Sequence, residues 1–163
     1  QNATVFLLWN KGTDGVWYCI REYYYSGRTE GKQKTDSEYA DDLESWLEGT
    51  KIKGIIVDPS AASFIAELRK RGYKVVKAKN NVEDGIRVVG TKLNQETIIF
   101  ADSCVNTIQE FGSYIWDEAA AAHGEDRPVK EHDHAMDALR YFVYTILNNQ
   151  TAIIRSKRKA GFH

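Results

Sequence analysis

The residues of this chain whose types and spacing best suit chemistry lie in one short segment near its end. His134 and Asp137 are three positions apart, so on a helix they share one face. The apolar residues Met136, Leu139 and Val143 recur at helical spacing on the opposite face. Imidazole nitrogens and carboxylate oxygens suit Mg²⁺, Mn²⁺ or Zn²⁺, so the pair is a candidate half of a divalent-metal site. The alternative is a capped and solvated helix start, because such polar residues also favour first turns.

Other acidic residues stand where a strand ends or a helix begins. Asp58 follows the apolar run Ile-Ile-Val and precedes Pro59 and a helical pattern, and open α/β sheets hold their ligands at the carboxyl ends of such strands. The alternative role for Asp58 is an Asx-turn or helix cap beside Pro59. Asp102 ends another short strand, and we predict that it caps the next helix, with a ligand role as the secondary interpretation. Asp133 is predicted to cap the helix that carries His134.

Composition bounds the class of protein. With 163 residues, 42% of them hydrophobic and 28% charged, the chain is long and apolar enough for one soluble globular domain. The net charge of −1 provides no overall attraction for nucleic acid, so a local basic patch would have to meet it. Cys19 and Cys104 form no zinc motif, and we predict buried thiols in a reducing compartment. We find no signal-peptide pattern and no apolar run of membrane-spanning length, so we expect a cytosolic protein.

The elements that must position these residues follow from periodicity and turn signals. A hairpin is predicted around Asp14-Gly15, where Asp14 has a structural role only. Residues 85–92 superficially resemble a phosphate-binding loop, but they lie within a helical pattern and in the wrong residue order, so Arg87 and Lys92 are predicted surface charges. The further predictions are helices over 36–48, 61–72, from 80 and from 103; strands over 55–58, 73–78 and 97–102; and a strand and hairpin over 112–128.

Basic residues occur in three places where a DNA backbone could be contacted. Arg28, Lys32 and Lys34 lie in a polar segment without periodicity, which predicts a mobile loop. Lys130 lies between the predicted hairpin and the last helix. The tail over 149–163 is basic and predicted to be flexible. All three are candidate phosphate contacts, although a solvated loop explains the first equally well and the alternative for the tail is simply a domain end.

Taken in order, these segments resemble the C-terminal nuclease domain of the large terminase subunit of tailed double-stranded DNA bacteriophages. The resemblance covers nearly the whole chain and rests on the segments IIVDPSA over 55–61, YIWDE over 114–118 and, above all, HDHAMDALRY over 132–141. It implies an α/β, RNase H-like fold, in which a mixed central β-sheet is flanked by helices and a β-hairpin is added before the C-terminal helix. Residues 1–148 would then be a single nuclease domain.

The resemblance also implies an activity and a set of site residues. The family cuts concatemeric DNA with two divalent cations, Mg²⁺ or Mn²⁺, at the start and end of capsid filling. Asp58 matches its second acidic ligand, Asp137 its acid on the C-terminal helix, and His134 the ligand-like residue one turn earlier. The implied partners are double-stranded DNA, an N-terminal packaging ATPase domain, the small terminase subunit and the portal. The implied location is the host cytoplasm, at the procapsid portal and away from any membrane.

One departure and two alternatives accompany this prediction. The family's first acidic ligand lies on a strand immediately before the strand over 3–10 and has no counterpart here, so we expect the natural polypeptide to continue upstream. The first alternative is a non-catalytic module that docks on DNA or the portal, with the acids as caps. The second is an RNase H-like resolvase or transposase, which would prefer branched DNA or perform strand transfer.

Overall fold

A computed structural model describes residues 3–112 and 133–148. The chain divides into two compact units, one from Gln1–Lys34 and Leu93–Ala138 and the other from Thr35–Lys92 and Leu139–His163. The predicted hairpin before the last helix, Lys130, the segment over 114–118 and the tail over 149–163 lie outside the described residues. None of the helices in the described ranges is long and apolar enough to cross a membrane.

The first unit is built on the predicted hairpin. Strand β1 (Ala3–Lys11) pairs antiparallel with β2 (Trp17–Ser26), and the register shifts at Leu8/Trp9. Asp14 accepts hydrogen bonds from Val16 N (2.9 Å) and from the Tyr18 hydroxyl (2.6 Å), which confirms its structural role in the turn. The glycine after it, Gly15, has a φ of 81°, a conformation that glycine adopts without steric cost.

A third strand and a helix complete the described part of this unit. Strand β5 (Ile98–Phe100) runs parallel to β2 beside Trp17–Cys19, so the three-stranded sheet is mixed, in the order β1-β2-β5. A helix over residues 105–112 follows and is called α5. The segment after β2 was predicted as a loop, but it contains a short helix, α1 (Gly27–Glu30), which ends at Gly31 with a φ of 72°.

The two cysteines lie in the core of the first unit. Cys19 on β2 and Cys104 just before α5 are both fully buried and free, with their Sγ atoms 3.9 Å apart. Burial is the main cause that raises the pKa of both thiols above the ordinary value. The prediction that both cysteines are buried thiols is confirmed.

The second unit contains strand–turn–helix segments. Helix α2 (Asp36–Leu47) begins with the predicted capping box between Thr35 and Glu38. Strands β3 (Ile55–Val57) and β4 (Val75–Lys77) are parallel, and α3 (Ala62–Lys70) connects them, as the patterns predicted. The Arg71 guanidinium donates to Asp41 (2.7 Å) on α2 and to Glu67 (3.0 Å) on α3, which ties the two helices together.

Helix α4 (Val82–Asn94) includes the stretch that resembled a phosphate-binding loop. Because these residues are helical, the prediction that they form no phosphate-binding loop is confirmed. Arg87 is exposed and pairs with Asp84 at 2.8 Å. Lys92, predicted as a surface charge, is instead buried, with 8% of its surface exposed, and burial lowers its pKa.

The last described helix, α6 (His134–Phe142), continues into a π-helical turn, Val143–Leu147. Its apolar stripe is buried as predicted, since Met136, Leu139 and Val143 are at most 6% exposed. In the π-helical turn the Thr145 hydroxyl accepts a hydrogen bond from Lys79 N (2.9 Å), which fixes this turn against the end of β4.

Candidate metal centre

The first turn of α6 carries a cluster of metal-ligating side chains. One ligand atom each from Asp133, His134 and Asp137 lies within 4.8 Å of the others, and all three residues are half-buried. Around a Mg²⁺ ion bound at about 2.1 Å, neighbouring ligand atoms are about 3 Å apart and opposite ones about 4.2 Å. Small side-chain rotations would therefore bring these three atoms onto one ion. Two carboxylates and an imidazole form a donor set that suits Mn²⁺ and Mg²⁺.

The start of α6 differs from the prediction in how it is capped. The N–H groups of Ala135 and Met136, which a local cap would occupy, donate to Glu110 Oε2 at 2.8 and 3.2 Å. Asp133 contributes its backbone carbonyl, which accepts from Asp137 N at 2.9 Å. The prediction that Asp133 caps this helix is therefore wrong: the first-turn N–H groups donate to Glu110 on α5, and the Asp133 carboxylate lies in the cluster with His134 and Asp137.

Asp58 lies at the carboxyl end of β3, in the second unit, where the sequence predicted it. Its Oδ1 accepts from Ser60 N (2.9 Å) in an Asx-turn, and its Oδ2 accepts from the Tyr141 hydroxyl (2.9 Å) on α6. Burial alone would raise the pKa of Asp58, but the hydrogen bonds from Ser60 and Tyr141 and the charge of Arg140 together lower it. Asp58 is thus held ionised in one orientation.

Arg140 precedes Tyr141 on α6 and contacts residues of the second unit. It is buried, with 7% of its surface exposed, and its Nη1 donates to the Asn80 carbonyl at 2.9 Å. Its guanidinium also lies 4.9 Å from the centre of the Tyr141 ring. The residue packs against Gly85 of α4, where a built Cβ would come 2.7 Å from Arg140 Cδ. The absence of a side chain at Gly85 makes this close approach possible.

The predicted DNA-contacting residues that the structure describes lie in the first unit. Arg28 and Lys32 are exposed. Lys34 is half-buried, with its Nζ 4.6 Å from the centre of the Tyr25 ring, and the Tyr25 hydroxyl donates to the Lys32 carbonyl at 2.6 Å. Tyr25 therefore orders part of the segment that was predicted to be mobile.

Three features of the candidate site were not predicted from the sequence. Asp133 was predicted as a helix cap. It also lies four residues before Asp137, and this spacing places two side chains on one face of a helix. Tyr141 continues the same helix four residues after Asp137, but nothing in its type indicates a hydrogen bond to Asp58. Glu110 lies 25 residues before Ala135, and no local pattern connects the two.

The described elements define an α/β protein of the RNase H-like class, with a mixed sheet, flanking helices and an acidic cluster on the last described helix. No protein-family model matches the chain. Solved structures are similar over most of its length. The large terminase of a thermophilic bacteriophage, solved in complex with ADP, superimposes with a TM-score of 0.81 and 57% identity, covering 90% of this chain and 37% of that one. A second crystal form of the same phage terminase gives a TM-score of 0.80 at the same identity.

A curated relative gives the same result. The large terminase subunit of Escherichia phage T5 is 28% identical over 148 residues, which covers 88% of this chain and 32% of the T5 protein. The homologues of this chain are therefore large terminase subunits of phages, and the similarity is consistent with a domain of that subunit. It spans about a third of the length of these relatives.

Proposed function

We propose that this chain is the metal-dependent nuclease domain of a DNA-packaging terminase, which cuts concatemeric double-stranded DNA. The observation that carries the proposal is the cluster of Asp133, His134 and Asp137 at the start of α6, in a homologue of phage large terminase subunits. Nothing else in the described ranges brings three potential metal ligands together. The resemblance of the segment around this helix to the family's nuclease domain supports the same conclusion.

The proposed ligands are His134 and Asp137, with Asp133 as an addition, and Asp58 from the end of β3. Carboxylate oxygens are the ligands that Mg²⁺ and Mn²⁺ prefer, and the imidazole favours Mn²⁺. Two bound cations would activate a water molecule and stabilise the charge that develops on the phosphate and the leaving oxygen. Asp58 is suited to a ligand role because its lowered pKa keeps it ionised and Tyr141 holds its orientation.

Contacts to DNA are proposed for the basic residues Arg28, Lys32 and Lys34, and for Lys130. Each would bind backbone phosphate, which positions the duplex and carries no sequence information. We therefore propose cleavage with little sequence preference. In the longer terminase, the proposed partners are the packaging ATPase domain, the small subunit and the portal, and the proposed place of action is the procapsid portal in the host cytoplasm.

The test is cleavage of supercoiled plasmid by the 163-residue chain with Mg²⁺, Mn²⁺ or EDTA. We expect metal-dependent nicking and linearisation, which Asp137→Ala and His134→Ala should reduce by at least about 100-fold, because losing a ligand costs more than the roughly 10- to 100-fold typical of its outer-shell partners. Asp84→Ala is the matched control, since Asp84 is also an acid in the first turn of a helix and its carboxylate pairs only with the exposed Arg87 among the interactions described for it.

Other outcomes would favour the alternatives. DNA binding without cleavage under any metal, unchanged in Asp137→Ala and also seen in a longer polypeptide that carries the family's first acidic ligand, would contradict the nuclease and support a docking module. A strong preference for a four-way junction over linear duplex would support a resolvase. Cleavage that persists in EDTA would contradict a metal-dependent mechanism altogether.

A further inference from the structure

A buried acid outside the ligand cluster accepts the hydrogen bonds that hold the start of the ligand-bearing helix. Glu110 on α5 is 8% exposed. Its Oε2 accepts from the second and third residues of α6, Ala135 N and Met136 N, and its Oε1 accepts from the Tyr24 hydroxyl at 3.0 Å. Burial and the neighbouring carboxylate raise the pKa of Tyr24 to about 12, so its hydroxyl stays protonated and available to donate.

The helix that carries Glu110 is held in the same way. Glu22 on β2 accepts from the second and third residues of α5, with Asn106 N at 2.7 Å and Thr107 N at 2.9 Å. The Asn106 side-chain amide (3.1 Å) and the Thr107 hydroxyl (2.7 Å) donate to the same carboxylate. Each helix start therefore receives its acceptor from another element: α5 from β2, and α6 from α5.

Both supports originate on one face of β2. Glu22 and Tyr24 are two residues apart on a strand, so their side chains leave the sheet on the same side. Glu22 accepts hydrogen bonds from the start of α5, and Tyr24 donates one to Glu110, the α5 side chain that contacts α6. The position of the α6 first turn is thus set by the sheet through two carboxylates.

The buried position of the Glu110 carboxylate costs free energy, because burial disfavours its charged form. Burial raises the pKa of Glu110, which shows that its charged form is disfavoured where it stands, although the hydrogen bonds from Tyr24 and the α6 N–H groups oppose this. A local Ser, Thr or Asp cap would close the same turn from an exposed position. The buried acceptor instead anchors the backbone between His134 and Asp137, so that the two ligands keep a fixed spacing.

We propose that Glu110 is a positioning residue for the metal ligands of α6, held in place by Tyr24 and, through α5, by Glu22. This inference rests on the proposed function, in which His134 and Asp137 bind a divalent cation. Partners that orient ligands from outside the coordination shell are worth about 10- to 100-fold in metal affinity or activity. We expect an effect of this size at Glu110, exerted through the backbone of Ala135 and Met136.

The experiment measures Mn²⁺ affinity by titration calorimetry, together with the Mn²⁺ concentration that gives half-maximal plasmid cleavage. Glu110→Ala should weaken Mn²⁺ binding by about 10- to 100-fold. Glu110→Gln should recover most of the affinity, because its amide oxygen can still accept from Ala135 and Met136 while its NH₂ group donates to Tyr24. Glu67→Ala is the control, since Glu67 is another partly buried helical glutamate and bonds Arg71.

A milder variant keeps the test valid if Glu110→Ala does not fold. Tyr24→Phe removes one hydroxyl and should weaken Mn²⁺ binding about two- to tenfold, the range of a single lost hydrogen bond. Tyr18→Phe removes a comparable hydroxyl in the hairpin turn and should leave Mn²⁺ binding unchanged. Circular dichroism at the assay temperature establishes that each variant is folded, so that a loss of affinity cannot be a loss of structure.

The outcomes separate this inference from the function on which it rests. Folded Glu110→Ala or Tyr24→Phe protein with wild-type Mn²⁺ affinity, while Asp137→Ala loses binding, would overturn the positioning role alone. Wild-type protein that binds no Mn²⁺ would overturn the metal centre and the positioning role together. Weaker binding with the wild-type cleavage rate restored at saturating Mn²⁺ would support the proposal.

Discussion

Asp58 and Asp102 lie near the ends of two similar strands, and the structure treats them differently. Asp58 directly follows a strand of three residues, whereas Asp102 lies one residue further on, in the turn after Ala101, and a helix follows in both segments. Asp58 is half-buried, and both of its carboxylate oxygens accept hydrogen bonds, one from Ser60 and one from Tyr141. Asp102 is exposed in its turn. A place near the end of a strand therefore does not by itself make an acid a candidate for a site.

The difference arises from a second element. Tyr141 reaches Asp58 from a helix distant in sequence, and Arg140 next to it lowers the Asp58 pKa. In the Asp102 segment, Glu22 accepts hydrogen bonds from the first-turn N–H groups of α5. The capping role that the sequence predicted for Asp102 therefore belongs to Glu22. Hydrogen bonds that hold a carboxylate in one orientation favour it as a metal ligand, and Asp58 has such bonds from Ser60 and Tyr141.

The largest expected effect tests this comparison directly. Asp58→Asn should reduce metal-dependent plasmid cleavage by at least about 100-fold, because it removes a proposed ligand, whereas outer-shell partners cost roughly 10- to 100-fold. Asp102→Asn should stay within about twofold of the wild-type rate, as expected for an exposed substitution. Equal losses in both variants would mean that hydrogen bonding does not distinguish the two acids.

A smaller effect is expected at the residue that holds Asp58. Tyr141→Phe should reduce cleavage by about tenfold, since it removes the donor to Oδ2 without removing a ligand. Tyr18→Phe removes the corresponding tyrosine–aspartate hydrogen bond at Asp14 and should leave cleavage unchanged.

The same variant has a predicted pH signature. The lowered pKa of Asp58 contributes stability that is present above the ordinary aspartate value of 3.8 and is lost as the pH falls through the folded-state value. Wild-type protein should therefore exceed Tyr141→Phe in unfolding free energy at neutral pH, and the difference should shrink on acidification. A difference that is constant with pH would contradict an effect through the Asp58 charge.

The smallest effect on cleavage is expected at Gly85, where stability should respond instead. A methyl group there would meet the Arg140 side chain, so Gly85→Ala should destabilise the protein by about 1–3 kcal/mol. Gly90 lies on the same helix with nothing in the described ranges within 4 Å of an added Cβ. Gly90→Ala should therefore stabilise by up to about 1 kcal/mol through helix propensity. Urea unfolding of both variants measures the contrast, and stabilisation of both would show that Arg140 moves aside freely.

Local patterns predicted the elements well, because their causes are local. The Thr35–Glu38 capping box, the Asp14 turn and the apolar stripe of α6 depend on residues within a few positions of one another. Lys92 escaped prediction because its burial depends on tertiary packing, which a helical pattern does not contain.

Most candidate ligands were predictable from the sequence, whereas Asp133 and the residues that support the candidate site were not. His134 and Asp137 share a helix face by spacing alone, and the strand before Asp58 marks a sheet edge. The contacts of Tyr141 with Asp58 and of Glu110 with the start of α6 join residues 83 and 25 positions apart. Periodicity within one element cannot reveal such pairs, because each depends on how elements meet.

The hydrogen bonds that Glu110 accepts from the first turn of α6 bear on protein engineering. A graft of His134–Phe142 onto another scaffold would carry the proposed ligands but leave behind the acceptor of two backbone amides. The smallest portable unit is discontinuous: it comprises this helix, a glutamate in the place of Glu110 and the strand face that presents Glu22 and Tyr24. A designer who copies only the linear motif would transfer the chemistry without its alignment.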